Sequence, residues 1–471
     1  MIWELESVKD TLLLRLSGFY SSLDLDSIPQ EVIERAKERL IDFLGVLAVG
    51  FKRGEVASYV NKYVLSLGGK EESTILCLNR KVPAIHAALA MGAMAHSVEL
   101  DDGHRWGTSH PGVAIIPSVL AFGEREGSDF KRMLGAIVVG YDLMLRVARA
   151  INPSHLRRGF HSTGTCGALG SAAACAFLKG FDALRTAYSV SIGGLQSAGI
   201  QEMLHDNPSI KVLQAGHAAM AGVLAADLVA LGARGPRTLF EGKHGWLKAM
   251  CNGEYDERAL IGDLGKRWEI NFAYTKLYPT CRHCHASIDL AIEAKDTLGI
   301  QSLKEVKEVL IRTYSVGIAE VGNIACPSSF EEALFSLPFS VSVALMKGNV
   351  TLEDYSEESL RDEELKVFAR DRVKIESDPD MDKLYPEERG AYMRVLTSDG
   401  RVFERKVSIP LGEPERPVDR DRLYKKLSSI LEPYYPESFL KELWRVIMER
   451  RPEESSFEDI KEVYRRYCEN G

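Results

Sequence analysis

The sequence predicts a mostly α protein with a large all-helical domain followed by a smaller α+β lid domain. Three observations carry this. Through residues 1–264 apolar side chains recur at helical spacing in stretch after stretch. Near 265 the texture changes to short β-branched runs mixed with helices, the pattern of a separate α+β unit. From about 413 to 471 the chain is charged and helical again, and this tail is expected to pack back on the first domain. A length of 471 residues is too great for one ordinary core, so two domains, 1–264 and 265–412, are the expectation.

Taken in order, Ser27-Ile28-Pro29-Gln30 has the Ser-x-x-Gln form of a capping box, and Ile33, Ala36, Leu40, Leu44 and Leu47 follow at helical spacing. Further helices are expected at about 83–98, 113–125, 129–149, 165–179, 182–198 and 212–232. Several are rich in Ala and Gly, as in Gly167-Ala168-Leu169-Gly170-Ser171-Ala172, so close helix packing is expected. Strands are expected at Glu308–Tyr314, Val373–Glu376, Tyr392–Leu396 and Val402–Val407, the last two joined by the turn Ser398-Asp399-Gly400. Helices at about 285–298 and 330–347 complete the lid.

Composition narrows the function. The chain is 45% hydrophobic and 27% charged, near the globular average. A net charge of −8 argues against a nucleic-acid partner, which needs clustered Lys and Arg. The sequence reads as free of an apolar run of the ~18 residues a membrane span needs, and the acidic start MIWELESVKD is not a secretory signal. No membrane association is expected, and the cytoplasm is the default location. Eight scattered cysteines form no disulfide framework. No Gly-x-Gly-x-x-Gly follows a strand and no Walker motif occurs.

All eleven histidines lie between His86 and His285, and histidine exchanges protons most readily near neutral pH. Four segments could use them. The first, from His96 through Glu99, Asp101, Asp102, Gly103 and His104 to His110, could serve proton transfer or bind a metal; the competing reading is a solvated acidic turn. The second sets Arg157, Arg158 and His161 before a helix start, where free amides suit a carboxylate. The third is the loop Asn207–Lys211 before an apolar helix. The fourth, Tyr278-Pro279-Thr280-Cys281-Arg282-His283-Cys284-His285, invites a zinc or redox reading through Cys-x-x-Cys. A structural zinc site lacks its second ligand pair, and a thioredoxin-like motif lacks its βαβ setting, so a substrate-binding turn is the better fit.

In this order and spacing the four segments resemble the MmgE/PrpD family, whose members include 2-methylcitrate dehydratases, cis-aconitate decarboxylases and an iminodisuccinate epimerase. The resemblance is carried by HSVELDDGHRWGTSHPG, RRGFHSTGTCGALGSAAA, the Lys211 loop with LQAGHAAMAGVLAA, YPTCRHCHASIDLA and FSLPFSVSVALMKG, across about residues 10–410. It implies the helical and lid domains, a homodimer, and catalysis with no metal or organic cofactor. The family's active-site positions fall on Glu99, Gly103, His110, His161, Lys211 and His285, and Asp101 and Asp102 match its acidic pair. Two positions depart from the pattern: Glu99 stands where Asp is common, and Gly103 where the decarboxylases carry Thr. The loop from Asp102 to His110 is one residue longer than in the decarboxylases.

The expected activity is therefore a hydro-lyase of the 2-methylcitrate dehydratase type, acting on a small di- or tricarboxylic acid. The alternatives are a decarboxylase or epimerase of the same family, or a non-enzymatic binding protein that has kept the fold. His110, His161, Glu99, Asp101, Lys211 and His285 are the expected catalytic group. Arg158, Arg282, Gly103 and Asp102 are the expected substrate binders. The shorter side chain at Gly103 is expected to open space beside the substrate.

Overall fold

The computed structural model describes residues 10–206 and 208–468, apart from the His205 side chain. The first part is built of helices α1 (Leu12–Ser21), α2 (Gln30–Arg53), α3 (Glu55–Leu67), α4 (Ala84–His96), α5 (Pro111–Glu126), α6 (Phe130–Ile151), α7 (Ser154–Arg157), α8 (Ser162–Lys179), α9 (Ala183–Leu195), α10 (Glu202–His205), α11 (Lys211–Ala230), α12 (Trp246–Cys251) and α13 (Glu257–Ile261). One antiparallel pair, β1 (Ser73–Ile75) with β2 (Arg80–Val82), interrupts them. The capping box at Ser27 does not form. The α2 N-cap is Pro29, without a side-chain cap, and Ser27 instead closes a single 3-10 turn.

Small residues set how closely these helices pack. A Cβ on Gly92 of α4 would lie 2.8 Å from the Gly216 Cα of α11, and a Cβ on Gly216 would lie 2.3 Å from the Leu89 carbonyl oxygen. Gly222 of α11 meets Ser171 of α8 in the same way. These contacts bring α4, α8 and α11 together and align their ends around one space. Residues 208–230 are long and apolar enough to cross a membrane by composition, contrary to the reading of the sequence. Of its apolar 18-residue window 61% is buried, as a central helix of this bundle.

A second hydrophobic core lies within residues 278–407. Its sheet has the order β4-β3-β5-β6, from β3 (Val306–Thr313), β4 (Val373–Ser377), β5 (Ala391–Thr397) and β6 (Val402–Val407). β3 pairs parallel with β4 and antiparallel with β5, and β5 pairs antiparallel with β6. Gly400, with φ of +90°, supplies the left-handed turn between β5 and β6. Helices α14 (His285–Leu298), α15 (Ser315–Val321), α16 (Phe330–Ala333), α17 (Leu337–Lys347), α18 (Glu357–Leu360), α19 (Glu363–Asp371) and α20 (Pro379–Leu384) accompany the sheet. The helix expected at 330–347 is broken, because Ser336 caps α17 through the Phe339 amide. The tail helices α21 (Arg420–Leu431), α22 (Glu437–Trp444) and α23 (Phe457–Cys468) bury Leu427, Phe439, Leu443 and Ile460 in the first core.

Candidate active site

Three helix N-termini meet the space between the two cores. His110 immediately precedes α5, His161 immediately precedes α8, and Lys211 is the first residue of α11. Together with the turn after α4 they line a narrow cavity of about 50 Å³. The lid closes it with Tyr274, Lys276, Cys281, Arg282, His283, Glu320, Phe335 and Arg389. Helix N-termini favour anions, so the setting suits a carboxylate before any side chain is counted.

Glu99 lies at the centre of the charge. It follows α4 in a left-handed conformation, φ +51°, which a non-glycine residue adopts only under constraint. Its carboxylate is buried between two ammonium groups: Oε1 pairs with Lys211, and Oε2 lies 2.8 Å from Lys276 Nζ. Burial alone would raise its pKa. Lys211 and Lys276 outweigh burial, so it lies well below the ordinary carboxylate range. No motif singled out Lys276, which is fully buried.

The histidines are oriented by their rear nitrogens. Asp101 Oδ2 lies 3.1 Å from His96 Nδ1 and 3.0 Å from His110 Nδ1, and His110 Nδ1 also lies 3.0 Å from the Asp102 carbonyl. All these partners are acceptors, so His110 Nδ1 carries the proton and Nε2 keeps its lone pair. Burial, with Lys211 and Lys276 beyond it, holds His110 down at about 4 despite Asp101. His161 is arranged alike. Its Nδ1 lies 2.7 Å from Gln214 Oε1, whose amide nitrogen is turned to the Ile200 carbonyl, and burial followed by Lys211 lowers its pKa strongly. Both imidazoles line the cavity.

Three of the expected binders, Asp102, Arg158 and Gly103, and two of the expected catalytic group, Asp101 and His285, do not line the cavity. Asp102 faces away from the cavity: its carboxylate accepts the Gly112 amide at 2.9 Å and the Tyr141 hydroxyl at 2.8 Å, which fixes the start of α5. Arg158 is exposed and donates to the Ala249 carbonyl. His285 is buried behind the cavity wall, where Nδ1 accepts from Arg282 Nη1 at 3.0 Å and Nε2 faces the Thr280 carbonyl. The residues of that turn that reach the cavity are Cys281, Arg282 and His283. Gly103 opens no space. A Cβ there would lie 2.3 Å from Tyr274 Oη and 2.4 Å from its Cζ, so the tyrosine ring occupies the room the glycine leaves. The Gly103 and Tyr274 backbones also bond to each other in both directions.

Among the described residues, two groups carry metal-type ligand atoms within 4.8 Å of one another: His96, Asp101 and His110, and Cys281, His283 and Glu320. Lys211 and Lys276 act on the first group and Arg389 on the second, so a cation at either meets like charge. His283 is already held between Tyr314 and Glu320. Cys284 lies in the lid core, apart from the cavity, so the Cys-x-x-Cys pair does not converge there.

A cis-aconitate decarboxylase of Aspergillus terreus is 25% identical over 91% of both chains. A cis-aconitate decarboxylase-like protein of Aspergillus oryzae is 24% identical, over 87% of this chain and 88% of its own. The human cis-aconitate decarboxylase is 24% identical, over 90% of this chain and 87% of its own. The MmgE/PrpD N-terminal domain model matches residues 14–258 and the MmgE/PrpD C-terminal domain model matches 278–448. With both domain models matched in order and enzymes of that family similar along nearly the whole chain, this protein belongs to the MmgE/PrpD family.

Proposed function

We propose that the chain is a cofactor-independent lyase acting on a small di- or tricarboxylic acid, and that its reaction is the removal of water, as in a 2-methylcitrate dehydratase. One observation carries the choice of elimination: two imidazoles, His110 and His161, offer Nε2 to one cavity with both rear nitrogens tied. Elimination of water beside a carboxylate needs a base for the C–H proton and an acid for the departing hydroxyl. His161 Nε2 takes the proton. The electron pair left on carbon forms the double bond as the C–O bond breaks, and the hydroxyl leaves as water with a proton from His110 Nε2. His110 becomes the acid when the substrate's carboxylates offset the lysines that hold its pKa down. Lys211 and Lys276 stabilise the charge that builds on the neighbouring carboxylate.

A second reading, decarboxylation of an unsaturated tricarboxylate, is favoured by the names of the relatives. It breaks a C–C bond, releases carbon dioxide and needs one proton donor. The two readings part in a single experiment. Citrate, 2-methylcitrate, cis-aconitate and related hydroxy acids are incubated with the protein and followed by NMR and ultraviolet absorbance. The proposal expects an unsaturated acid from a hydroxy acid. Faster conversion of cis-aconitate to itaconate than of every hydroxy acid would replace it with the second reading. Dialysis against a chelator is expected to leave turnover unchanged; loss restored by zinc or iron would end the cofactor-free reading.

A further inference from the structure

We propose that Arg389 is the anchor of a second carboxylate subsite on the lid side of the cavity, so that the ligand is a di- or tricarboxylic acid gripped at both ends. The proposal rests on reading the cavity as a carboxylic-acid site, and it assigns the far carboxylate to a residue that neither the motifs nor the resemblance pointed to.

Lys211 and Lys276 share Glu99. Arg282 is fully committed: Nε and Nη2 face Glu413 at 3.1 Å, Nη1 donates to His285 and the Leu411 carbonyl, and Nη2 also reaches the Pro410 carbonyl. Arg389 differs. It is 4% exposed, yet among the described residues no carboxylate lies within ion-pair distance of it. Its Nη2 donates to the Arg105 carbonyl at 2.5 Å and, more weakly, to Thr108 Oγ1 at 3.4 Å. Its Nε has no partner, and no bond from Nη1 to another described residue is formed.

A buried guanidinium without a counter-ion is costly, and a protein keeps one where something else completes it. The acids whose charge acts with Arg389 are held by other groups: Glu320 faces His283 Nε2 at 3.2 Å, and Glu413 is shared by Arg105 and Arg282. The surroundings of Arg389 are aromatic, with its guanidinium 5.4 Å from the Tyr385 ring centre and Tyr274 beside it in the wall. Such a setting excludes water and strengthens an ion pair. The planar fork fits a carboxylate two bonds at a time. Lys211 and Lys276 have one carboxylate, Glu99, between them, and Arg389 has none within ion-pair distance among the described residues, which leaves two places for an anion. A ligand with two carboxylates satisfies both, and a monocarboxylate leaves Arg389 bare.

The test is equilibrium binding by calorimetry, with tricarballylate and butyrate as probes. The variant is Arg389→Gln, whose amide retains a donor for the Arg105 carbonyl. Tricarballylate is expected to bind the variant about 10²-fold more weakly, while butyrate changes by less than about twofold. Arg389→Lys is expected to recover part of the loss. Equal losses for the two ligands, or unchanged tricarballylate binding, would overturn the assignment. A native chain that binds neither probe would instead remove the carboxylic-acid reading on which it rests. If the variants do not fold, a crystal structure of the native protein with tricarballylate decides. A carboxylate on Arg389 supports the subsite, and a ligand held only by Lys211 and Lys276 excludes it.

Discussion

At the scale of single residues, Gly103 and Tyr274 behave as one unit. Any side chain at 103 meets the tyrosine ring at 2.3–2.8 Å, and the ring is locked by the paired backbones. Gly103→Ala is therefore expected to cost about 1–3 kcal/mol by overpacking. Tyr274→Ala alone costs stability by leaving a cavity. The pair of substitutions should cost less than the sum by about 1 kcal/mol or more, read from thermal unfolding in a double-mutant cycle. Additive losses would show that the two do not share one space. The buried histidines make a second prediction. His110 and His155 are both held at about 4, chiefly by burial. Their unfolded value is about 6.5, so the fold prefers the neutral ring. Each contributes stability that is complete above about pH 6.5 and is lost as pH falls toward 4, up to about 3 kcal/mol apiece. Asp102, raised to about 6 mainly by burial, has the opposite sign and offsets part of this loss. Urea unfolding at pH 7, 5.5 and 4 should show falling stability, and His155→Gln should flatten that slope. A slope that the substitution leaves unchanged would place the titration elsewhere.

At the scale of elements, the site depends on how closely α4 and α11 approach, because Glu99 follows one and Lys211 begins the other. Gly216→Ala drives a Cβ to 2.3 Å from a backbone oxygen, which cannot rotate away. Its cost is expected at about 1–3 kcal/mol, with a larger proportional loss of turnover as the Lys211–Glu99 pair is displaced. Gly18 of α1 is the control, since a Cβ there meets nothing within 4 Å. Gly18→Ala should stabilise by up to about 1 kcal/mol. If both variants gain stability, the close approach is not a constraint. The same packing explains what could be read in advance. The helices of the first part and strands β3 to β6 announce themselves by period and by the Ser398-Asp399-Gly400 turn. Three-residue strands such as β1 and β2 are too short to show a period. His110, His161 and Lys211 were legible because they sit at helix starts beside recognisable motifs. Lys276, Glu320 and Arg389 were not. Each is a single charged residue outside any motif, and only the folded chain brings it to the cavity. His285 and Asp102 are the converse case: they lie within the motifs but outside the cavity lining, where His285 faces Arg282 and the Asp102 carbonyl faces His110.

At the scale of the whole molecule, a groove beside the site bears on assembly. Tyr59 and Tyr63 of α3 are more than half exposed, and with Ile210 and Leu213 they line one apolar groove. Leu67 and Leu231 add further exposed apolar surface on α3 and just past the end of α11. Contiguous exposed apolar surface of this kind marks an interaction face. We propose that a second copy of the chain covers it in a two-fold dimer, the assembly that the family resemblance implies. Glu55, Val56 and Ser209 line both this groove and a narrow cleft that runs inward to Glu99 and Lys211. A partner on the groove would therefore close the cleft behind the Lys211–Glu99 pair and keep water from it. Light scattering should give twice the chain mass for the native protein. Tyr63→Glu with Leu213→Glu should give a monomer with unchanged helical circular dichroism, because both side chains already face outward. That monomer is expected to lose turnover by about tenfold or more, since water entering behind Lys211 weakens every ion pair in the cavity. A native monomer would exclude the interface, and a fully active monomeric variant would show that the cavity is sealed by this chain alone.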